Sequence, residues 1–140
     1  TQHAVQTFIR NILGGFASSR FHRPPHGLGL SHWPIQSIKT IRKIEEKVKF
    51  WNLKPMMDRL SDREENEAYL IGKTGESYLL YFPAEGEVKL DLNPHTKEFE
   101  LSWISLEESE WGESISLKGG IKHSIQPPTN AGNLALILAK

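Results

Sequence analysis

A chain of 140 residues that is 38% hydrophobic and 24% charged has the composition of an ordinary soluble protein and can bury one core, or one small domain with an appendage. It has no cysteine, which excludes a disulfide framework and a thiolate metal site but leaves the compartment open. The net charge of zero conceals an asymmetry: residues 1–60 carry ten Lys/Arg against three Asp/Glu and residues 61–140 carry seven against fourteen, so the halves are +7 and −7.

That break suggests two modules, 1–59 and 60–140. No apolar run approaches the roughly 20 residues of a membrane span, so no membrane partner is expected. The basic residues of the first half are mixed with an apolar stripe and carry no nucleic-acid motif, so nucleic acid is not expected either.

Over residues 3–13, Val5, Phe8, Ile9 and Ile12 recur at helical spacing, and Gly14 and Gly15 follow where a helix C-terminus favours glycine. This predicts an amphipathic helix. Residues 16–21, FASSRF, read as a short buried strand, and HRPPHGLGLSHW (22–33) as a long loop of the kind that often carries function. Pro34 suits a first helical position with Ser31 or His32 before it. From Ile35 onward, Ile38, Ile41, Ile44, Val48 and Trp51 recur at three to four residue intervals and predict a second helix with one buried stripe. Helix, strand, long loop and helix is the repeating logic of an α/β barrel. One parallel strand without a partner does not make a domain, so this segment reads as the end of something larger.

Residues 52–67, with Met56, Met57 and the charged run SDREENE, read as a linker. Three short apolar segments follow over 68–92, separated by Gly-containing turns at 73–76 and 84–86, and are expected to form successive hairpins. SYLLYF is apolar on both faces, as a central strand should be, while Val88, Leu90 and Leu92 alternate with Glu87, Lys89 and Asp91. Later strands are EFELSWI with Phe99, Leu101 and Trp103 inward, ESISL with Ile115 and Leu117, GIKHSI with Ile121, His123 and Ile125, and NLALIL with Leu134, Leu136 and Leu138. Turn signals at 93–94, 119–120 and 127–128 separate them. The predicted fold is α+β: a C-terminal antiparallel β-sandwich of about seven or eight strands after a helix-strand-helix segment.

Arg20, His22 and Arg23 fall where the predicted strand ends, which is the face on which barrels build their sites. Arg and His there can hydrogen-bond hydroxyls or a carboxylate, and Trp33 can stack on a pyranose ring; bracing of the loop is the competing role. His22, His26 and His32 match no metal-ligand spacing, so neither metal nor cofactor is expected. A glycosidase needs two carboxylates at a defined separation, and the basic module offers only Glu45, Glu46 and Asp58, so no catalytic residue is assigned. Glu107, Glu108, Glu110 and Glu113 flank Trp111 as a solvated acidic turn, with Trp103 in the core. Trp111 is a stacking platform or the cover of a sandwich edge.

GGFASSRFHRPPHGLGLS, LSDREENEAYLIGKTGESYLLYFPAEGEVKLDL, WISLEESEWGESISLKGG and LALILAK resemble the C-terminal end of bacterial glycoside-hydrolase-like proteins. In that family a TIM barrel of the apiosidase-like kind precedes a β-sandwich that bears a collagen-binding label. The resemblance implies that residues 1 to about 50 are the last helix, strand and helix of the barrel, and that the acid/base and nucleophile lie on earlier strands. It further implies that Arg20, His22 and Arg23 of the RFHRP element are rim or substrate contacts. Where many relatives have an Asp-Pro turn, this chain has Ile104-Ser105-Leu106. The expected partners are the remainder of the parent barrel and a polysaccharide. The alternatives are a stand-alone glycan- or protein-binding module without catalysis, and a purely structural interaction domain.

Overall fold

A computed structural model describes residues 2–16, 21, 30–63 and 68–140 of the chain. It contains helices α1 (Gln2–Leu13) and α2 (His32–Glu45), 3-10 turns at Phe50–Asn52 and Met57–Arg59, and nine strands. The strands are β1 (Lys54–Pro55), β2 (Leu60–Ser61), β3 (Tyr69–Lys73), β4 (Ser77–Phe82), β5 (Val88–Asp91), β6 (Glu98–Ser105), β7 (Trp111–Lys118), β8 (Lys122–Ile125) and β9 (Asn133–Ala139). They form two antiparallel sheets, one of six strands in the order β1-β3-β4-β9-β6-β7 and one of three in the order β2-β5-β8. The fold is α+β, dominated by a two-sheet sandwich.

The centre of the large sheet is buried on both faces. Leu70, Tyr78, Leu80, Phe82, Phe99, Leu101, Trp103, Ala135 and Ile137 point toward the small sheet and meet Val88, Leu90, Leu92 and Ile125. Ile71, Leu79, Tyr81, Ile104, Leu134 and Leu136 point the other way, onto Val5, Phe8, Ile9 and Leu13 of α1 and Ile41 and Ile44 of α2. Three layers result: small sheet, large sheet, helices. SYLLYF is apolar throughout because β4 lies between β3 and β9 with a layer on each side. The helices can lie close because α2 turns small side chains inward. Ser37 and Thr40 are fully buried and return their hydroxyls to the carbonyls of Trp33 and Gln36, each at 2.9 Å.

Several expectations change. Pro34 is the third residue of α2, not the first. The helix ends at Glu45, the chain turns at Glu46 and Lys47 and is extended at Lys49, and the stripe residue Trp51 is 76% exposed, whereas Val48 stays buried. A 3.6 period continues through Ile44, Val48 and Trp51 in the sequence, but the backbone leaves the helix before it can use the last position. Within the expected linker, β1 pairs with β3 and β2 with β5, while Met56 and Met57 pack on the core between the sheets. The β4–β5 connection is not a hairpin: it crosses from the large sheet to the small one.

Ile115 and Ile121 were expected inward and are 46% and 47% exposed. Three strands cannot cover six, so the edge strand β7 and the β7–β8 turn protrude past the small sheet. The expected strand at 16–21 lies outside the described residues except for Phe16 and Phe21, and so does the loop over 22–29. Phe16 is exposed, and the ring of Phe21 lies 4.5 Å from that of Phe8.

Candidate functional site

The β6–β7 hairpin is built to hold a tight, acidic turn. Ser105 ends β6 and its hydroxyl accepts the backbone N–H groups of Glu107 and Glu108 at 3.2 and 3.3 Å, so the turn begins on a side-chain cap. Ser109 takes a positive φ of 56°, and its N–H donates to the Ser105 carbonyl at 3.0 Å. Below the turn the register slips, so that Gly112 and Glu113 of β7 together face Trp103 of β6. This bulge sits on the sheet edge, where an extra residue bends the strand.

Helix α2 grips the same hairpin through residues spaced along one face. Thr40 Oγ1 reaches the Ser105 carbonyl at 3.4 Å, and Lys43 Nζ donates to the Ser109 carbonyl and lies 3.2 Å from Glu110 Oε1. Just past the end of the helix, Lys47 Nζ lies 4.0 Å from the centre of the Trp111 ring, a cation–π distance. The opposite wall is the segment 126–133 after β8. Asn133 is buried and donates through Nδ2 to the carbonyl and hydroxyl of Thr129 at 2.7 and 3.1 Å, and Leu106 N–H ties the two walls by donating to the Gly132 carbonyl at 3.2 Å.

Between the walls runs an open groove of about 820 Å³. Trp111, Gly112 and Ile115 line it with apolar surface, and Trp103 reaches its edge from the core; Glu107, Glu108, Glu110 and Glu113 form an acidic rim, and Gln126, Pro127, Pro128 and Thr129 face them. A half-buried indole beside carboxylate, amide and hydroxyl acceptors suits a ligand that presents an apolar C–H face and many O–H donors. The rim residues are the acidic turn expected from the sequence.

Trp33 does not join this groove. It lines a separate small cavity of about 20 Å³ with Val5, Gln6, Tyr81 and Leu106, under the helix layer. Trp33 and Trp111 are therefore not one site, although Ala131 borders both cavities. Arg20, His22 and Arg23 lie outside the described residues. Among the described residues no three His, Asp or Glu side chains are grouped to hold a metal ion, and no helix is long and apolar enough to cross a membrane.

Sequence reasoning placed Trp51 in a helical stripe and so overlooked it as a surface residue. It also overlooked the grip of Lys43 and Lys47. The 3-4 spacing of Thr40, Lys43 and Lys47 was the available signal, but a solvated face has the same spacing.

No protein-family profile matches the chain, and no characterised protein matches it by sequence. Solved structures do match its fold. A glycoside hydrolase family 5 structure from Bacteroides vulgatus ATCC 8482 aligns with 84% of this chain and 30% of its own, at 14% identity and a TM-score of 0.65. A second structure, described as a glycoside hydrolase, aligns over the same shares at 12% identity and a TM-score of 0.61. This chain thus spans about a third of the length of those proteins. An alignment over 84% is longer than residues 60–140 can supply, so it includes part of the helical layer. Most of this fold, more than residues 60–140 alone, thus recurs within longer glycoside hydrolase chains.

Proposed function

We propose that this chain is the C-terminal part of a carbohydrate-active protein, its sandwich bracing a barrel and presenting polysaccharide in the groove beside Trp111. The observation that carries this reading is that 84% of this chain, more than residues 60–140 can supply, aligns in fold with glycoside hydrolase chains. In this reading residues 1–59 are the end of the barrel and 60–140 the accessory sandwich. Trp111 stacks on a sugar ring, and the rim carboxylates accept its hydroxyl hydrogens. Arg20, His22 and Arg23 are contacts on the barrel rim, Trp33 is a support beneath it, and the catalytic carboxylates belong to the remainder of the parent barrel. An apiosidase-like parent of bacterial origin is the finer form of this proposal, drawn from the sequence resemblance. The collagen-binding label plays no part in it.

A second reading, a self-sufficient glycan- or protein-binding module, is favoured by one observation. The apolar face of α1 is satisfied by the chain's own large sheet, with Val5, Phe8, Ile9 and Leu13 all buried.

Tryptophan fluorescence and thermal melting of the chain across neutral plant and bacterial polysaccharides test the groove, with Trp33→Ala and Trp111→Ala as controls. A response lost in Trp111→Ala and kept in Trp33→Ala supports glycan binding in the groove. A folded protein indifferent to every glycan would leave bracing as the function and remove the groove from it.

A further inference from the structure

Beyond α2 the backbone forms the 3-10 turn Phe50–Asn52, closed by Leu53 N–H on the Phe50 carbonyl at 3.0 Å. Phe50 and Leu53 both pack into the core between helices and large sheet. With its two neighbours anchored, Trp51 between them is held outward, 76% exposed, the most exposed of the large hydrophobic side chains among the described residues. An indole held in water on a fixed backbone is a stacking platform whose ordering has already occurred before any ligand arrives.

The surroundings of Trp51 are basic. Lys49 Nζ lies 5.7 Å from its ring centre. The same lysine lines a cleft of about 260 Å³ with Lys47, Lys73 and Asn52. The cleft has one acid, Glu76, which is already bound to Lys73 at 2.8 Å. Among the described residues neither Lys47 nor Lys49 has an ion-pair partner. Positive charge in excess over one carboxylate, beside an exposed aromatic face, calls for a ligand that is anionic at one edge and apolar on one face.

We propose that this cleft and Trp51 form a second binding site, for an acidic polysaccharide whose sugar units carry a carboxylate. The C–H face of a uronate ring stacks on Trp51 while its carboxylate lies among the ammonium groups of Lys49, Lys47 and Lys73. The cleft is smaller than the roughly 300–1,000 Å³ of pockets that enclose a drug-sized ligand, so it takes one ring or one acidic group of a longer chain. A nucleic acid would need an extended phosphate track. This surface offers one compact cleft. The site shares no aromatic residue with the groove, Lys47 being the residue common to the two surfaces, and does not rest on the function proposed for that groove.

The test is affinity electrophoresis of the full chain in gels containing polygalacturonate, alginate or a neutral galactan, with a single-stranded oligonucleotide as a soluble competitor. Retardation is expected in the two uronate polymers and not in the galactan, diminishing as salt rises. Trp51→Ala and Lys49→Gln should each weaken it at least tenfold with thermal midpoints unchanged, since both side chains are exposed; Trp111→Ala should leave it intact. Absence of retardation in uronate gels overturns the proposal. So does equal retardation of Trp51→Ala, which would reduce the surface to unspecific charge. Competition by the oligonucleotide at lower concentration than free oligogalacturonate would make the cleft a nucleic-acid surface instead. Uronate retardation lost in Trp111→Ala and kept in Trp51→Ala would assign it to the groove and overturn this second site.

Discussion

Trp111 is held at the groove by a charge as well as by its partial packing against the helix-side core. The Lys47 ammonium at 4.0 Å from its ring and the Lys43–Glu110 pair at 3.2 Å hold the hairpin to α2 at its surface, where each such contact is worth about 0.5–1 kcal/mol or less. Lys47→Met should therefore change stability by less than about 1 kcal/mol but raise acrylamide quenching of Trp111, read as the difference from Trp111→Phe; unchanged quenching would remove Lys47 from the positioning of the ring. Gly119 is constrained more severely. A Cβ there would meet the backbone carbonyl oxygens of His95 and Lys97 at 2.0 and 2.4 Å, and neither can move as a side chain can. Gly119→Ala is expected to cost about 1–3 kcal/mol or more in urea unfolding. Gly120→Ala, at a φ of +77° but with room around it, should cost about 1 kcal/mol from backbone strain alone.

At the scale of elements, β4 is the seam of the molecule. Leu80 faces the small sheet and Leu79 faces the helices, and both are fully buried. Each truncation to Ala should cost about 2–5 kcal/mol, measured by denaturant unfolding. Leu79→Ala is the informative one: a loss below about 1 kcal/mol would mean that the helix layer contributes little to the folded unit. Helix α1 is tied near its C-terminal end as well, because its Arg10 lies over the ring of Tyr69 at 5.1 Å from the centre, where Arg63 also lies at 5.5 Å. Burial pushes the Tyr81 hydroxyl up, against a smaller opposing effect of the nearby Arg10 cation. That tyrosine stays neutral through the physiological range.

Among the described residues the opposite charges of the two halves are not neutralised by a seam of ion pairs. Among the described ion pairs only Lys43–Glu110 joins residues 1–60 to the remainder. Apolar burial joins the layers, so high salt should leave the thermal midpoint of the whole molecule nearly unchanged. Acid should not. The backbone and side-chain N–H groups of Asn93, at 2.9 and 2.7 Å, hold the Asp91 carboxyl below the usual carboxylate range, aided by Lys122 and Arg59. A carboxylate lowered in the folded state stabilises the fold above its ordinary value of about 3.9 and loses that contribution as pH falls through the lowered one. The melting temperature should fall below about pH 4, and Asp91→Asn should flatten that fall; an identical acid profile in the variant would exclude Asp91 as its source.

The sequence by itself determined the local alphabet of this protein. Two helical stripes, the alternation of Val88, Leu90 and Leu92, the two-faced apolar run of β4 and the glycine turn at Gly75 were legible because each depends on periodicity or on φ within a few residues. The acidic turn beside Trp111 was legible from its run of glutamates. Only the tertiary structure decided which faces are covered. Period two states that Ile115 and Leu117 share a face, but not that a three-stranded sheet stops between them, burying Leu117 and leaving Ile115 in water. It decided in the same way that β5 leaves the sheet of β4, that Trp51 escapes its helical stripe, and that Lys43 and Lys47 close on a hairpin more than sixty residues away. Long-range pairing and layer coverage depend on which surfaces meet in three dimensions, and local periodicity carries no term for that.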